Sequence, residues 1–540
     1  GAEPAYAYAA GKAKFSQDAA GVQTYHTYEA TTAHGAIHKH TSVTKANGEL
    51  VAAQSRMTEA FIAANGTTAF TQESIWNGSQ WLLLDTTAYE YDAQQRVVKT
   101  TRGNGRFSTT EWMCCGRLSE TDEDGITTTY AYDSARQLTE ISREEVYNGE
   151  TCITPETITE FTRDAAGRVL STTRRIGALT TTETTAYDAL GRVTQQVDTL
   201  GRVTTTAYSA DGLTTTRTTP AGATSISTRF ADGSTARIAG TAQREQHYVY
   251  DLSNNSERVT VKTADGAIFS QSITNGFGQT TMQAQPNTIG GFIYTRSEYN
   301  AKGQLVKSYQ DTGWNTEKTA ATLYEYDSFG NVVKQTLALS DSPSKDNSPV
   351  NEMAYCVEQL DDGVYSVTTQ TRYNAEGEPI ATTNKQLISY FSPALVSKSI
   401  SIDARGHESV SWTLHTAPAK QTSYSAIPTS NIVAESVSMD GIVLSQRDHA
   451  GIESGLVVQT MEKQVGDATI HLAFYRHYMT NSTETKHRDG RGNVTTTLAD
   501  IAGRPTSVTD ASGAVTSTFY DSVHDAPTMV MDDLNNTSCY

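Results

Sequence analysis

The chain has 540 residues, of which 42 are basic and 60 acidic, so its formal net charge is −18. This acidic balance, without a sizeable basic cluster, argues against nucleic acid or an anionic membrane surface as a partner. No apolar run approaches the ~20 residues needed to cross a bilayer, so no membrane span is predicted. The Ala-rich segment after Gly1 also lacks the charged-then-apolar layout of a signal peptide.

The apolar content predicts a thin structure. About 39% of the residues are apolar when Gly is counted and Tyr is not, below the ~45–50% of ordinary globular domains. An antiparallel sheet with one face in water needs fewer apolar residues than a thick core does.

The first 85 residues carry turn signals but no clear repeat. Asn47-Gly48, Asn65-Gly66 and Asn77-Gly78 are hairpin signals separated by strand-length arms. The Ala-rich arm over residues 49–64 fits a strand or a helix, and its place between two hairpin turns favours a strand. We therefore expect residues 1–85 to form a divergent β-hairpin region.

A repeat is clearest in the stretch from Thr180 to Gly212. Its complete copy is Tyr187-Asp188-Ala189-Leu190-Gly191-Arg192, flanked by alternating Thr and Val. Asp188 can accept hydrogen bonds from the backbone two residues on, and Gly191 can supply the positive φ that closes a hairpin followed by a bulge. Alternating Thr, Val and Tyr favour a pleated strand. The pattern predicts strand, tight turn and strand.

The same pattern recurs from residue 86 to residue 540, so we predict one long antiparallel β-hairpin strip over that range. Repeats of this kind bury their faces against their neighbours. Two polar stretches, near 340–365 and 415–430, are expected to be loop insertions. Tyr residues two apart share a face, so stacked hairpins are expected to build a ladder of Tyr rings. The repeat residues are Tyr91, Asp92, Tyr132, Asp133, Asp164, Gly167, Arg168, Tyr187, Asp188, Gly191, Arg192, Tyr250, Asp251, Tyr299, Gly303, Tyr326, Asp327, Gly330, Tyr373, Gly377, Asp500, Gly503, Arg504, Tyr520 and Asp521.

The Tyr-x-Tyr-Asp-x-x-Gly-Arg pattern, at intervals near twenty residues, resembles the RHS or YD-repeat family. That family includes bacterial polymorphic-toxin shells, insecticidal toxin-complex shells and the extracellular region of teneurins. The resemblance implies an all-β fold, in which a long antiparallel strip coils into a spiral or partial hollow shell. In members that carry a toxin, it implies that the shell encloses a C-terminal payload.

The chain also departs from that family. It lacks the Asp-Pro-x-Gly-rich self-cleaving region that typically ends such shells, and its last residues look like the middle of another repeat. A strip of about fifty strands at ~4.8 Å spacing measures roughly 240 Å, which is about one turn around a shell ~70 Å across. We therefore expect an open spiral segment or one subunit of a larger assembly.

Few residues suggest chemistry. His34, His38 and His40 could share one face of a strand as metal ligands, but solvated imidazoles on an edge hairpin explain them better. The stretch from His471 to Tyr478 mixes side chains that a polysaccharide-cleaving groove uses, although packing also accounts for it. Trp76, Trp81, Trp112, Trp314 and Trp412 could stack on sugars, with core packing as the default. The turn Asp residues recur too regularly for catalysis, so no catalytic residue, cofactor or metal is predicted.

The five cysteines, at positions 114, 115, 152, 356 and 539, are too few and too scattered for a disulfide framework. Cys114 and Cys115 are adjacent on a predicted strand and should point to opposite faces. Packing thiols are favoured over one disulfide to Cys152, and a disulfide over a metal site.

The favoured function is a non-catalytic shell or scaffold segment of a secreted bacterial RHS/YD-repeat protein. Its partners would be other segments or copies of the same protein and an enclosed toxin or polypeptide. One alternative is an extracellular adhesive or filament-forming module assembled through the unpaired ends of the strip. Another is a polysaccharide-active enzyme built on the strip, for which a surface glycan would be the ligand.

Overall fold

The structure, a computed structural model, describes residues 5–9, 12–18, 21–114, 116–253, 255–287, 290–311, 320–339, 348–374, 376–389, 391–427, 432–450, 461–462, 473–488 and 493–540. Regular structure within these ranges consists of 46 β-strands and one 3₁₀ turn at Ala33–Gly35, with no α-helix. The prediction of an all-β fold from the alternating Thr, Val and Tyr residues is confirmed.

The strands are short and follow one another along the chain. The first twelve are β1 (Ala5–Ala9), β2 (Lys12–Gln17), β3 (Val22–Ala30), β4 (His38–Ala46), β5 (Arg56–Ile62), β6 (Thr68–Trp76), β7 (Trp81–Tyr91), β8 (Val97–Arg102), β9 (Phe107–Trp112), β10 (Arg117–Thr121), β11 (Thr127–Tyr132) and β12 (Leu138–Arg143). The next fourteen are β13 (Val146–Asn148), β14 (Thr151–Thr154), β15 (Thr157–Arg163), β16 (Val169–Ile176), β17 (Leu179–Tyr187), β18 (Val193–Val197), β19 (Val203–Tyr208), β20 (Thr214–Thr218), β21 (Thr224–Arg229), β22 (Thr235–Ala239), β23 (Gln246–Ser253), β24 (Ser256–Thr263), β25 (Ile268–Asn275) and β26 (Thr280–Pro286).

The remaining twenty complete the strip. They are β27 (Phe292–Tyr299), β28 (Leu305–Asp311), β29 (Ala321–Tyr326), β30 (Val332–Ala338), β31 (Val350–Leu360), β32 (Gly363–Tyr373), β33 (Pro379–Leu387), β34 (Leu395–Ile402), β35 (Glu408–Ala417), β36 (Lys420–Ile427), β37 (Ile432–Met439), β38 (Ile442–Ala450), β39 (Met461–Glu462), β40 (Ala473–Met479), β41 (Ser482–Arg488), β42 (Val494–Asp500), β43 (Pro505–Thr509), β44 (Val515–Tyr520), β45 (Pro527–Met531) and β46 (Thr537–Cys539).

These strands form a meander in which each pairs antiparallel with its neighbours in the chain. One sheet of 37 strands contains β1–β12 and β15–β39, and β40–β46 form a second sheet of seven. The ribbon β13–β14 is a side hairpin, since β12 pairs directly with β15. Among the described strands no pairing joins the two ends of the large sheet, so the sheet is open.

Three predicted boundaries differ from the structure. β7 runs from Trp81 to Tyr91, so the strip passes without a break from residues 1–85 into the repeats. Residues 350–360 and 363–373 form the long hairpin β31–β32, and only 340–347 of the first expected insertion lie outside the described residues. The second expected insertion begins with another hairpin, β35–β36, and its residues 428–430 lie outside the described ranges. Ser and Pro suggested loops at both places, but strand alternation continues around them.

The strip coils on itself, because residues about 300 apart touch. Gln54 Nε2 donates to Asp327 Oδ2, a pair separated by 273 residues, and Arg202 Nη1 donates to Asp525 Oδ1, a pair separated by 323 residues. We call the line of these contacts the seam. It lies where hairpin turns on one edge of the first coil meet turns on the opposite edge of the second. The other polar contacts that define it are His415–Asp124 and Arg143–Asp440.

The coil is tighter than the sequence estimate. At about 300 residues a turn, the 540-residue strip makes nearly two turns rather than one, so that estimate is wrong. One turn contains about 22 strands, which at ~4.8 Å spacing gives a circumference of roughly 105 Å and a diameter of roughly 34 Å. The spiral expected from the sequence is present, with a shorter circumference.

The buried apolar residues form small clusters, two of which cross the seam. Ile75, Leu82 and Leu84 from β6 and β7 pack against Val357 and Val364 from β31 and β32. The second seam cluster joins residues of the first coil to the hairpins of the second, and it consists of Ile126, Val146, Ala419 and Met439. Side-chain packing across the seam therefore holds the coils together, while backbone hydrogen bonds hold each coil. Within the described residues, no helix has the length and apolar character that crossing a bilayer requires.

Candidate functional site

The repeated hairpin turn is the most frequent local structure in the chain, and residues 187–192 show its geometry. The backbone N–H of Gly191 donates to the Asp188 carbonyl at 3.0 Å, and that of Asp188 donates to the Arg192 carbonyl at 2.9 Å. Asp188 Oδ1 accepts the N–H groups of Leu190 and Arg192, both at 2.9 Å. Gly191 has φ +81°, a left-handed conformation that costs a residue with a Cβ free energy. The Asp and the Gly therefore close the turn together.

The Arg after the Gly pairs with the turn Asp. Arg192 Nε donates to Asp188 Oδ2 at 2.7 Å. The Arg192 N–H, and then the Arg192 guanidinium, lower the pKa of Asp188 against the opposing effect of burial. The carboxylate thus has partners on both oxygens and serves as a fixed acceptor. The same pair occurs at Asp92–Arg96, Asp164–Arg168, Asp198–Arg202 and Asp500–Arg504.

Several Tyr residues, most of them just before a turn, fasten their strand to the strand that follows an earlier turn on the same edge. Tyr187 Oη donates to the carbonyl of Val169, two residues past Gly167, at 3.1 Å. The Arg168 guanidinium lies over the Tyr187 ring, 4.9 Å from its centroid. The equivalent hydrogen bonds are Tyr91–Thr68, Tyr208–Val193, Tyr250–Thr235, Tyr299–Thr280, Tyr326–Leu305, Tyr355–Val332 and Tyr520–Pro505.

Arginine takes part in what was expected to be a ladder of Tyr rings. Arg192 lies 4.2 Å from the centroid of the Tyr208 ring, and Arg504 lies 4.5 Å from that of Tyr520. The ring quadrupole attracts the guanidinium. At these steps and at Tyr187, a Tyr ring therefore stacks on the Arg of the previous turn on the same edge of the strip.

A change of register accompanies the repeat Tyr. The pairing register shifts between Glu90 and Tyr91, and again between Ala186 and Tyr187. An extra residue in one strand bends it and increases its twist. The shift recurs at Tyr132, Tyr299, Tyr326 and Tyr520. Each such repeat thus adds curvature at the same edge of the strip.

Some copies keep the geometry with other residues. Gln95 occupies the Gly position of the Asp92 turn with φ +62°, and Arg136 does so in the Tyr132-Asp133 turn with φ +63°. Asn300 replaces Asp in the turn of Tyr299 and Gly303, where its Oδ1 accepts the N–H of Gln304 at 3.0 Å.

Asn374 replaces Asp in the turn between Tyr373 and Gly377, and its Oδ1 accepts the N–H of Glu378. The Tyr373 hydroxyl donates to Glu352 Oε2 at 2.5 Å. Asp327, before Gly330, accepts hydrogen bonds within its own turn and one across the seam from Gln54.

Two copies differ more strongly from the pattern. Asp251 lies inside β23, opposite Arg258 of β24, and so does not begin a turn. This strand extends beyond Tyr250 to Ser253, and Asn255, with φ +60°, lies in the turn that follows. Asp521 accepts the N–H groups of Val523 and His524, and the hydrogen bond from the His524 ring, followed by those backbone groups, lowers the pKa of Asp521 to about 2.

Other sequence candidates are spread through the fold. His34 lies in the 3₁₀ turn with φ +53°, and its ring stacks on Phe70 at 3.9 Å, away from His38 and His40 on β4. The strand is interrupted at Gly35, so His34 does not share a strand face with the other two. No group of three or more His, Cys, Asp or Glu side chains arranged for a metal occurs in the described ranges.

The aromatic candidates are packed. Trp412 stacks on Tyr424 at 5.0 Å, Trp76 contacts Trp81, and Trp112 Nε1 donates to the Val97 carbonyl at 2.7 Å. Trp314 lies outside the described residues. Residues 473–479 form β40, and His471 and Leu472 lie outside the described part.

The cysteines are separated. Cys114 lies in the turn between β9 and β10 rather than on a strand, and its neighbour Cys115 is outside the described residues. Cys152, Cys356 and Cys539 are free thiols. Burial raises the pKa of Cys152 and of Cys356, so neither thiol is activated as a nucleophile.

The seam supplies the larger concave surfaces. One cavity of about 710 Å³ lies between β5–β9 and the loop before β34. Its charged groups pair with acidic residues: Arg102 with Asp85 and Glu123, and Arg106 with Asp124. His415 from the second coil reaches the same Asp124 at 2.7 Å. These side chains join the coils.

Sequence reasoning missed the Asp–Arg pair and the seam. The Asp-x-x-Gly-Arg spacing, which places the two side chains four residues apart across a tight turn, could have revealed the pair. The seam has no local signal, since its partners are about 300 residues apart.

Comparison with known proteins gives a family match and weak structural matches. The RHS-repeat family model matches residues 116–145 and 187–224. A search among proteins of curated function found no match. The crystal structure of TcdB2-TccC3 shares 11% identity at a TM-score of 0.31, covering 94% of this chain and 31% of the other.

Two further structures are similar to the same degree. The Photorhabdus luminescens Tc holotoxin pore shares 11% identity at a TM-score of 0.31, covering 95% of this chain and 29% of the other. The crystal structure of TcdB2-TccC3-Cdc42 shares 11% sequence identity at a TM-score of 0.30, covering 94% of this chain and 30% of the other. The chain therefore spans about a third of the length of each structure. The two matched segments carry repeat turns of the kind described above, so this part of the chain is similar to the RHS repeat.

Proposed function

We propose that this chain is a structural wall segment of a secreted bacterial RHS-type shell, which encloses or displays a polypeptide and catalyses no reaction. The observation that carries the proposal is the seam, because it turns one open strip into nearly two stacked coils around a central space. A wall is built by stacking coils, whereas a filament module would extend by pairing its strand ends.

The chemistry of the turns supports a structural role. The carboxylate of Asp188 accepts two backbone N–H groups and the Arg192 side chain, so both of its oxygens take part in the turn. A catalytic pair would instead bring titratable groups together in one pocket. We therefore assign the repeat Asp, Gly, Arg and Tyr residues to holding successive hairpins in register.

The enclosed partner is a guest polypeptide or another segment of the same protein. The spiral has a diameter of roughly 34 Å between backbones, which leaves a bore roughly 24 Å wide once ~10 Å is allowed for the two inward side-chain layers. An extended or partly folded chain fits this space more readily than a large folded domain. This role places the chain outside the cell that makes it.

Electron microscopy of the purified chain tests the proposal. We expect compact particles with a stain-filled centre and an outer width of roughly 45 Å, allowing ~10 Å for outer side chains. Filaments, or solid particles without a central density minimum, would contradict it. A control variant with Arg143→Met and Ile75→Ala weakens the seam while leaving the hairpin turns intact, and it should give more open particles with an unchanged β-sheet circular dichroism spectrum.

Catalysis is tested separately. Incubation with neutral and acidic polysaccharides is expected to release no new reducing ends. The structural assignment of the turn carboxylates would be overturned if the natural chain cleaves a polysaccharide and Asp188→Asn or Asp500→Asn abolishes that cleavage.

A further inference from the structure

Two histidines on neighbouring strands near the start of the strip lie unusually close. In the β3–β4 pair, His26 is opposite Ser42 and Tyr28 is opposite His40. His26 and His40 are therefore diagonal neighbours on one face of the sheet. Their ring nitrogens, Nδ1 of His26 and Nε2 of His40, are 3.1 Å apart.

The surrounding side chains hold these rings in place. The Tyr28 ring stacks on His40 with centroids 4.6 Å apart and an interplanar angle of 6°, and the Lys12 ammonium caps Tyr28 at 4.6 Å from the centroid. The two imidazoles lie 5.2 Å apart at 26°. Both histidines are half-buried, so their rotamers are restricted while water still reaches them.

We propose that His26 and His40 form a two-histidine site for a borderline divalent cation, with Cu²⁺ preferred. Zinc-type metal–nitrogen bonds of about 2.0–2.1 Å, at angles of about 90–109°, separate two nitrogen ligands by about 2.9–3.4 Å. The observed 3.1 Å lies within that range. Imidazole suits Cu²⁺, Ni²⁺ and Zn²⁺, and Cu²⁺ binds such ligands most strongly among the first-row divalent ions.

Binding requires a tautomer change and a small rotation of the two rings. In the neutral pair one of the facing nitrogens carries the proton of an N–H···N hydrogen bond. That proton moves to the other nitrogen of the same ring, which leaves a lone pair on each facing nitrogen and releases no proton. The χ2 torsion of His is broad, so both lone pairs can turn toward one ion without backbone movement.

Burial, and then His26, Lys12 and His38, lower the pKa of His40. No third His, Cys, Asp or Glu completes a ligand set among the described residues. Water would fill the remaining positions, which makes the site exchangeable rather than structural.

Titration with Cu²⁺ tests the site, using the full chain with its thiols alkylated. Calorimetry should show one site that His26→Gln and His40→Gln each weaken by about tenfold or more, since even the loss of a group outside the metal's own ligands costs 10–100-fold. Electron paramagnetic resonance should show two coordinating nitrogens. His38→Gln, on the same strand face two residues away, is the matched control and should bind as the natural chain does.

Three results would overturn the inference. Unchanged affinity in both His26→Gln and His40→Gln would show that the pair is only a hydrogen bond. Equal loss in His38→Gln, or a spectrum with a single nitrogen, would show that the ligands are not this pair. Circular dichroism of each variant verifies that the strip remains folded.

Discussion

Ile75 offers a direct test of whether the two coils pack against each other. Its side chain is 1% exposed and lies in the seam cluster with Val364, a residue 289 positions later in the chain. Ile75→Ala removes buried methyl and methylene groups and leaves a cavity, which should lower the free energy of unfolding by about 2–5 kcal/mol. Val364→Ala should cost about 1.5–3 kcal/mol, because a buried Val contributes about that much.

The two losses should not add. Residues that share one cavity show coupling of about 0.5–3 kcal/mol in a double-mutant cycle, whereas distant sites add within about 0.3–0.5 kcal/mol. Val261→Ala is the matched control, since Val261 is buried in β24 outside the seam cluster, and it should be additive with Ile75→Ala.

Because repeat proteins can unfold in parts, hydrogen exchange should accompany urea unfolding. Ile75→Ala should speed exchange in β31 and β32 as well as in β6. Exchange that changes only around β6, together with an additive cycle, would refute the packing of one coil on the other.

Three further outcomes are expected. Arg143→Met removes the two hydrogen bonds to Asp440 across the seam and should lower the free energy of unfolding by about 1–3 kcal/mol. The exchanged variant, Arg143→Asp with Asp440→Arg, should recover part of this loss in urea unfolding. An exchanged variant that recovers none of it would contradict a direct pair. Gln95→Gly should stabilise the chain by up to about 1 kcal/mol by relieving left-handed strain, and Gly191→Ala should destabilise it by about 1–2 kcal/mol; thermal unfolding that moves both variants the same way would exclude this explanation. The pKa of Asp521 is about 2, below its unfolded value, so its contribution to stability is present above about pH 4 and is lost as the pH falls toward 2; an NMR titration midpoint near 4 would contradict the hydrogen bonds assigned to it.

The turn could be predicted closely because its determinants are local. Asp188, Gly191 and Arg192 act within five consecutive residues, and the spacing shows which backbone groups they can reach. Asp251 shows the limit of this reasoning: without a Gly three residues on, Asp92 and Asp133 still begin turns, whereas Asp251 continues as a strand. The insertion expected near 340–365 overlaps two strands for a related reason. Composition suggested a loop over that range, whereas β31 runs from Val350 to Leu360 and β32 begins at Gly363.

The sequence by itself determined the all-β class, the hairpin repeat and the family resemblance, because each depends on residues within about ten positions of one another. Only the tertiary structure decided the number of coils and the seam. Both follow from the sum of many small bends, such as those at the register shifts. A small error in predicting each bend becomes a large error in the path of the strip after twenty strands. The contact between Arg143 and Asp440 exists only because that accumulated curvature returns the strip to itself after 297 residues.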